Sequence, residues 1–517
     1  MTKEAPLRRS SRAPVSKAAP VSKAAPLKAA KPMSKAKAAP KASKKRAASA
    51  ERSPSPPPKR TKNDSTENVD PTVPARAVRK KRSATLVPQS KPYFNPLPTP
   101  PEKKRPGLQV FVWGAGNFGQ FGMGPDVLGE LDKPKKHTWV EEQIEEGTFG
   151  PDNAGIETAA AGGMHSVFVD EKGTVWTCGV NDDAALGRVT EGIPDPDGTL
   201  TNLPHPLESL VAEKFRAVQV ATGDSICVAV DNHGEIRVWG SFRANEGSLG
   251  FSESARHQFT PIPIAMDLFH KPGDYEKVSS IAAGGNHILV LTTHGHIFTW
   301  GNGQQSQLGR KVLERHQVKG TNPQRVILDG NRALRAVVVG AGTYHSFAVD
   351  EEGTVWGWGL NTMGQTGTGL ESKDDETVAL PTVVRRLSKD ELGGETVVQI
   401  AGGEHHTLFL TSGGKRTTQP SRVTLLASFC RSLFLSPSPD DDDPIIHIDA
   451  GLHNNMAITK DGALYCWGQG TQGELGVPDE EVKTPRILVR REGGSWAAEW
   501  VACGGQHTLG LFRKRQK

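Results

Sequence analysis

From residue 108 onward, apolar and polar positions alternate with a period of two, in short runs that glycines interrupt. One such run opens on A-G-G-x-H or a variant of it and continues as an alternating stretch. Its copies are AGGMHSVFV (161–169), TGDSICVAV (222–230), AGGNHILVL (283–291), AGTYHSFAV (341–349), AGGEHHTLFL (401–410), AGLHNNMAI (450–458) and CGGQHTLGL (503–511). A second run ends near Trp-Gly and enters a loop that closes on Leu-Gly or a related pair. Its copies are VFVWGAGNFGQFG (110–122), TVWTCGVNDDAALG (174–187), IRVWGSFRANEGSLG (236–250), IFTWGNGQQSQLG (297–309), TVWGWGLNTMGQTG (354–367) and ALYCWGQGTQGELG (463–476). Turns such as DEKG, DNHG, DEEG and TKDG join the first run to the second. Period-two alternation between glycine-centred turns predicts β-hairpins rather than helices.

The first run occurs seven times. Its histidine position falls at 165, 226 (Ile), 287, 345, 405, 453 and 507, in steps of 61, 61, 58, 60, 48 and 54 residues. A repeat of this length is too long for one turn of a solenoid and suits a four-stranded blade. The chain opens with a second run and closes with a first, which predicts that the two ends pair within one blade and leave no open sheet edge. The expected fold is all-β: a seven-bladed β-propeller over 108–517, closed by pairing of its N- and C-terminal strands and preceded by a disordered tail over 1–107. One blade is broken in sequence. Residues 415–443 lack the Trp and the glycines of the second run, marking either an aberrant blade or an error in the gene structure.

Charge divides the chain at the same boundary. Residues 1–107 hold 27 Lys/Arg against 6 Asp/Glu, a net of +21, so the remaining 410 residues carry −15 within an overall +6. The tail is rich in Ala, Lys, Pro and Ser, and has too few large apolar side chains to offset the entropy of ordering. Three basic clusters stand out: Lys44-Lys45-Arg46, Lys59-Arg60 and Arg79-Lys80-Lys81-Arg82. The first two have the spacing of a bipartite nuclear-localisation signal, to be read by an import receptor. A one-signed arm also neutralises phosphates by counterion release, which points to nucleic acid or chromatin. Ser53-Pro54 and Ser55-Pro56 offer proline-directed phosphorylation sites that would reduce this charge.

Five cysteines (Cys178, Cys227, Cys430, Cys466 and Cys503) form no CxxC pair, so neither a disulfide framework nor a zinc site is indicated. No apolar run is long enough to span a bilayer and no secretory signal opens the chain, so a soluble, intracellular monomer is expected. Gly114–Gly119 (GAGNFG) matches a dinucleotide fingerprint literally, but QFGMGPD follows where a helix is required. The recurring histidines fall one per blade, which argues for structural residues rather than a metal ring. No P-loop lysine, HExxH or nucleophilic triad is present, so neither cofactor, metal nor covalent chemistry is expected.

The combination AGGxH…DxxG…WGxGxxGQLG, repeated in register over 108–512, resembles the repeat of the regulator of chromosome condensation family. The resemblance implies a nuclear, chromatin-associated guanine nucleotide exchange factor of fungal type for the GTPase Ran, serving nucleocytoplasmic transport and mitosis. The second run spans eight residues from the Gly of Trp-Gly, or its equivalent, to its last Gly in five copies, but ten from Gly240 to Gly250. That longer loop, SFRANEGSLG, resembles the family's β-wedge and would bring Arg243, Asn245 and Glu246 against the GTPase. By the same resemblance Asp224 takes the place of a functional acid, and His165, His405 and His507 lie on the face meeting the GTPase. Asn286 and Asn117 stand where the family has acids. The loop bearing Arg310, Lys311, Arg315 and Lys319 is either a solvated face or, as the resemblance implies, a nucleosome contact. Two rival readings remain from the residues: a propeller scaffold on chromatin without exchange activity, and an enzyme using the central channel.

Overall fold

The computed structural model describes residues 92–369, 376–413 and 443–516, together with the backbone of Val423–Ala427 and Cys430–Leu435. The basic clusters at 44–46, 59–60 and 79–82 and the Ser-Pro pairs lie outside the described residues.

The described residues form an all-β propeller. The sheets of its ring are four-stranded and antiparallel, and each has one edge strand lining the central channel. In chain order these inner strands are Ile156–Ala161, Ala217–Thr222, Val278–Gly284, Ala336–Ala341, Val397–Gly402, Ile445–Ala450 and Trp496–Cys503. Each touches the next, and the last touches the first, so the ring is closed. In six of these sheets all four strands are described with their side chains. In the remaining one, Val397–Gly402 and His406–Thr411 are so described, and the outer strands Val423–Ala427 and Cys430–Leu435 as backbone. These outer strands fall inside the segment that lacks the repeat's Trp and glycines. The runs VTLLA and CRSLFL supply β-prone apolar residues instead, and Val423–Ala427 pairs in register with His406–Thr411.

Closure occurs where the sequence predicts it. Gln109–Ala115 pairs with His507–Lys514, from Gln109 opposite Phe512 to Gly114 opposite His507. Phe111 stacks on Phe512 at 4.7 Å and meets Trp496 edge-on at 5.0 Å, so the seam is sealed by aromatic packing.

At four junctions the recurring histidine clasps its sheet to the neighbour. Nε2 of His287 lies 2.8 Å from Ser346 Oγ, that of His345 2.8 Å from Thr407 Oγ1, and that of His507 2.9 Å from Ser166 Oγ. His165 reaches Cys227 Sγ at 3.0 Å in the same way. Carbonyls of the loops before Leu-Gly complete the clasp: Gln307 O accepts from Ser346 Oγ at 2.8 Å and from Trp358 Nε1 at 2.9 Å. Trp239 Nε1 likewise donates to Ala185 O and Trp113 Nε1 to Glu474 O. The glycine after the Trp is needed because the chain turns there beside the previous strand. At Gly240, with φ +103°, a Cβ would lie 2.0 Å from Ser225 O.

The tail boundary expected at 107 moves to the N-terminal side. Residues 92–107 form an ordered strap across the end of the ring that carries the D-x-x-G turns. Asn95 Nδ2 donates to Thr292 O and Ala336 O, and Phe94 N to Thr293 O. Ser279 Oγ donates to Pro96 O, Phe94 packs under the Arg335 guanidinium at 3.9 Å, and Arg105 pairs with Glu171 at 3.0 Å. Proline-rich composition hid this segment, because its order comes from edge contacts with several sheets rather than from a core of its own.

Candidate interaction site

The turns that link each inner strand to the next strand, and the loops that follow the third strands, gather at the end of the ring opposite the strap. The ten-residue loop stands here as a two-stranded hairpin, Phe242–Ala244 with Gly247–Gly250. Phe242 is fully buried and anchors its base, whereas Asn245 to Ser248 at the tip are exposed. The Arg243 side chain turns back toward the preceding loop, where Nε donates to Asp183 Oδ2 at 2.6 Å, and His257 faces the same carboxylate at 3.3 Å.

Asp224 and the hairpin are joined through Asn286. Asn286 Nδ2 donates to Asp224 Oδ2 at 2.7 Å while its Oδ1 accepts from Arg243 N, also at 2.7 Å. A carboxylate at 286 would have no proton to give Asp224, and two carboxylates in contact repel. An asparagine, where the family resemblance leads one to expect an acid, is therefore the residue that links both partners. Burial pushes the Asp224 carboxyl above the usual range, against the pull of Asn286 and Arg243. Asn117 lies exposed in its own loop beside the exposed Phe118.

The histidine expectations divide. His165 and His507 are buried between sheets, and burial keeps them neutral by lowering their pKa to about 4 and about 3. Their rings serve the clasps just described and offer no surface to a partner. His405 does reach the channel mouth, half-buried, but for a different reason. The residue in the clasp position of that sheet is His406, since Gly403 N bonds to His406 O as Gly162 N does to His165 O. In the next sheet Asn454, not His453, takes that position, through Gly451 N to Asn454 O. The phase of the apolar alternation carries this signal: His406, Leu408 and Leu410 are in step, as are Asn454, Met456 and Ile458.

This one-residue shift brings Glu404 into register with Asp224, which reading by motif alone missed. Glu404 lies 3.8 Å from His405 and 3.5 Å from His453, whose rings stack at 6.4 Å. Tyr344 completes the mouth. Its hydroxyl pKa is raised by burial and then by the charges of Asp224 and Glu404. The mouth thus presents two carboxylates, a tyrosine and two histidines beside the projecting hairpin.

In the basic loop, Arg310 departs from expectation. Its Nη2 donates to Thr299 O, Gly320 O and Asn322 O, and desolvation lowers its pKa to about 10. Arg310 therefore pins the loop to its own sheet, and Lys311, Arg315 and Lys319 carry its exposed charge.

The RCC1-like domain pattern matches residues 109–510, and the chain belongs to that family. Among named relatives, Protein pim1 of Schizosaccharomyces pombe is 32% identical over 450 residues, covering 82% of this chain and 77% of that protein. Guanine nucleotide exchange factor SRM1 of Saccharomyces cerevisiae is 30% identical over 441 residues, covering 78% and 86%. The crystal structure of Prp20p from Saccharomyces cerevisiae, described with its binding properties to Gsp1p and histones, superposes with a TM-score of 0.67. It is 28% identical and covers 82% of this chain and 94% of that one.

Proposed function

We propose that this protein is a guanine nucleotide exchange factor for the nuclear GTPase Ran, held on chromatin. The observation that carries this reading is the projecting hairpin 242–250, braced beside a polar channel mouth in a propeller whose relatives include a named guanine nucleotide exchange factor. Exchange requires no covalent step. The hairpin and mouth stabilise the nucleotide-free GTPase more than the loaded one, and that difference lowers the barrier to release. An acceleration of ~10⁵-fold corresponds to about 7 kcal/mol of differential stabilisation. Arg243, Asn245 and Glu246 on the hairpin, with Asp224, Asn286, His405 and Asn117 around it, form the GTPase-contacting set, to which the mouth adds Glu404, Tyr344 and His453.

The remaining parts support the same reading. The basic tail engages an import receptor through its clusters and nucleosomal DNA or histones through its charge, aided by Lys311, Arg315 and Lys319. The protein acts as a nuclear monomer, and the sheet completed by Val423–Ala427 and Cys430–Leu435 is its seventh blade. Binding measurements test the mechanism: nucleotide-free Ran is expected to bind at least a hundredfold more tightly than Ran loaded with GDP. Equal affinity for the two forms would remove the driving force for exchange.

A further inference from the structure

The exchange hairpin cannot be rigid on its own. It is paired only at Phe242–Gly250, Arg243–Ser248 and Ala244–Gly247, and an isolated two-stranded ribbon is marginal in water. Its outer half is bound instead by the neighbouring sheet's loop at 302–304. Asn302, itself buried, donates from Nδ2 to Arg243 O at 3.0 Å. Gln304 Oε1 accepts from Asn245 N at 2.8 Å, and Gln304 Nε2 donates to Glu246 Oε2 at 3.0 Å. The two amides also hold each other, through Asn302 Nδ2 to Gln304 Oε1 at 3.2 Å and Gln304 N to Asn302 Oδ1 at 2.9 Å.

The repeat does not require these residues. At the position of Asn302 the other eight-residue loops have Ala115, Val180, Leu360 and Gln469, and at that of Gln304 they have Asn117, Asp182, Thr362 and Thr471. Among these five loops the Asn-x-Gln pair stands in the one that faces the hairpin. Gln304 also meets both hydrogen-bonding demands of the tip with one amide: it takes the Asn245 N–H and gives a proton to the Glu246 carboxylate.

We propose that Gln304, seated by Asn302, is a positioning residue for nucleotide exchange, holding the hairpin extended and the Glu246 carboxylate aimed outward. This rests on the exchange reading above. The brace acts before the GTPase arrives, so losing it costs turnover more than encounter.

The test compares the full-length wild type with Gln304→Ala. Thermal unfolding should be unchanged, amide hydrogen exchange over 243–248 should rise at least tenfold, and kcat for GDP release from Ran should fall about tenfold with KM within twofold. The swapped pair Glu246→Gln with Gln304→Glu reverses the bond, with 246 donating and 304 accepting from it and from Asn245 N, so it should recover the amide protection. Unchanged protection in Gln304→Ala overturns the brace, as does unchanged kcat once protection is lost. A wild type that releases no nucleotide overturns the exchange reading instead, and the protection data then still decide whether Gln304 holds the hairpin.

Discussion

Replacing residues 243–248 with a tight two-residue turn lowers nucleotide release from Ran at least a hundredfold, about 2.7 kcal/mol of lost transition-state stabilisation, without unfolding the protein. The separation of activity from stability follows from the hairpin's construction. Its anchor, Phe242, lies below the cut and stays in the core formed with Phe251, Ile288 and Trp300. Of the residues removed, Asn245 to Ser248 are exposed and Arg243 and Ala244 half-buried, and their bonds run to Asp183, Asn286, Asn302 and Gln304, which turn to water when the tip is gone. Loop residues of this kind change stability little when shortened. Exchange assays beside a thermal melt check this. A shortened variant that releases nucleotide at the wild-type rate would place the activity elsewhere on the ring.

Acid is expected to open the ring well above the pH at which carboxylates protonate. His137, His287, His345 and His507 are pushed by burial to about 3, and His165, His406 and His447 to about 4. In the unfolded chain these groups titrate near 6.5, so below that pH the unfolded state binds protons that the folded state refuses. Folding then loses about 1.4 kcal/mol per pH unit for each such histidine, until the pH reaches its folded value. Asp449 opposes this, because burial raises it to about 7, so that it is protonated in the folded state before the unfolded one. Burial raises Asp224, Glu157 and Asp170 in the same sense as Asp449, but the seven histidines outnumber these four carboxylates, and by pH 5 the loss is comparable to the stability of an ordinary domain. The denaturation midpoint should therefore drop steeply between pH 6.5 and 5. Ile226 and Asn454 already occupy the clasp position in two sheets, so His345→Asn should fold and show a shallower slope. A midpoint independent of pH from 7 to 5 would contradict the assignment of these rings as buried and neutral.

The ring itself was readable because its rules are local. Alternation, Trp-Gly and the glycine turns recur where a strand must pass its neighbour, and the opening and closing half-repeats announce the seam at Gln109–Phe512. The hairpin was readable as a two-residue excess. Reading failed where a side chain's role depends on phase or on distant partners. A-G-G-x-H assigned His405 and His453 to the clasp, and only the phase of Leu408–Leu410 and Met456–Ile458 gives that role to His406 and Asn454. Glu404 was hidden by the same shift. Arg310 looked like surface charge, since no pattern in sequence shows three carbonyls converging on its guanidinium. Asn286 looked like a lost acid until Asp224 and Arg243 were seen on either side of it. The strap was concealed because prolines and lysines suggest a disordered arm, while its bonds run to turns some two hundred residues away.

The most direct measurement of the central claim is release of a fluorescent GDP analogue from purified Ran by catalytic amounts of the full-length protein, with excess unlabelled nucleotide. The account predicts rapid release with turnover, each molecule of this protein discharging many molecules of Ran. Release no faster than from Ran alone, by a protein shown to be folded, would contradict it.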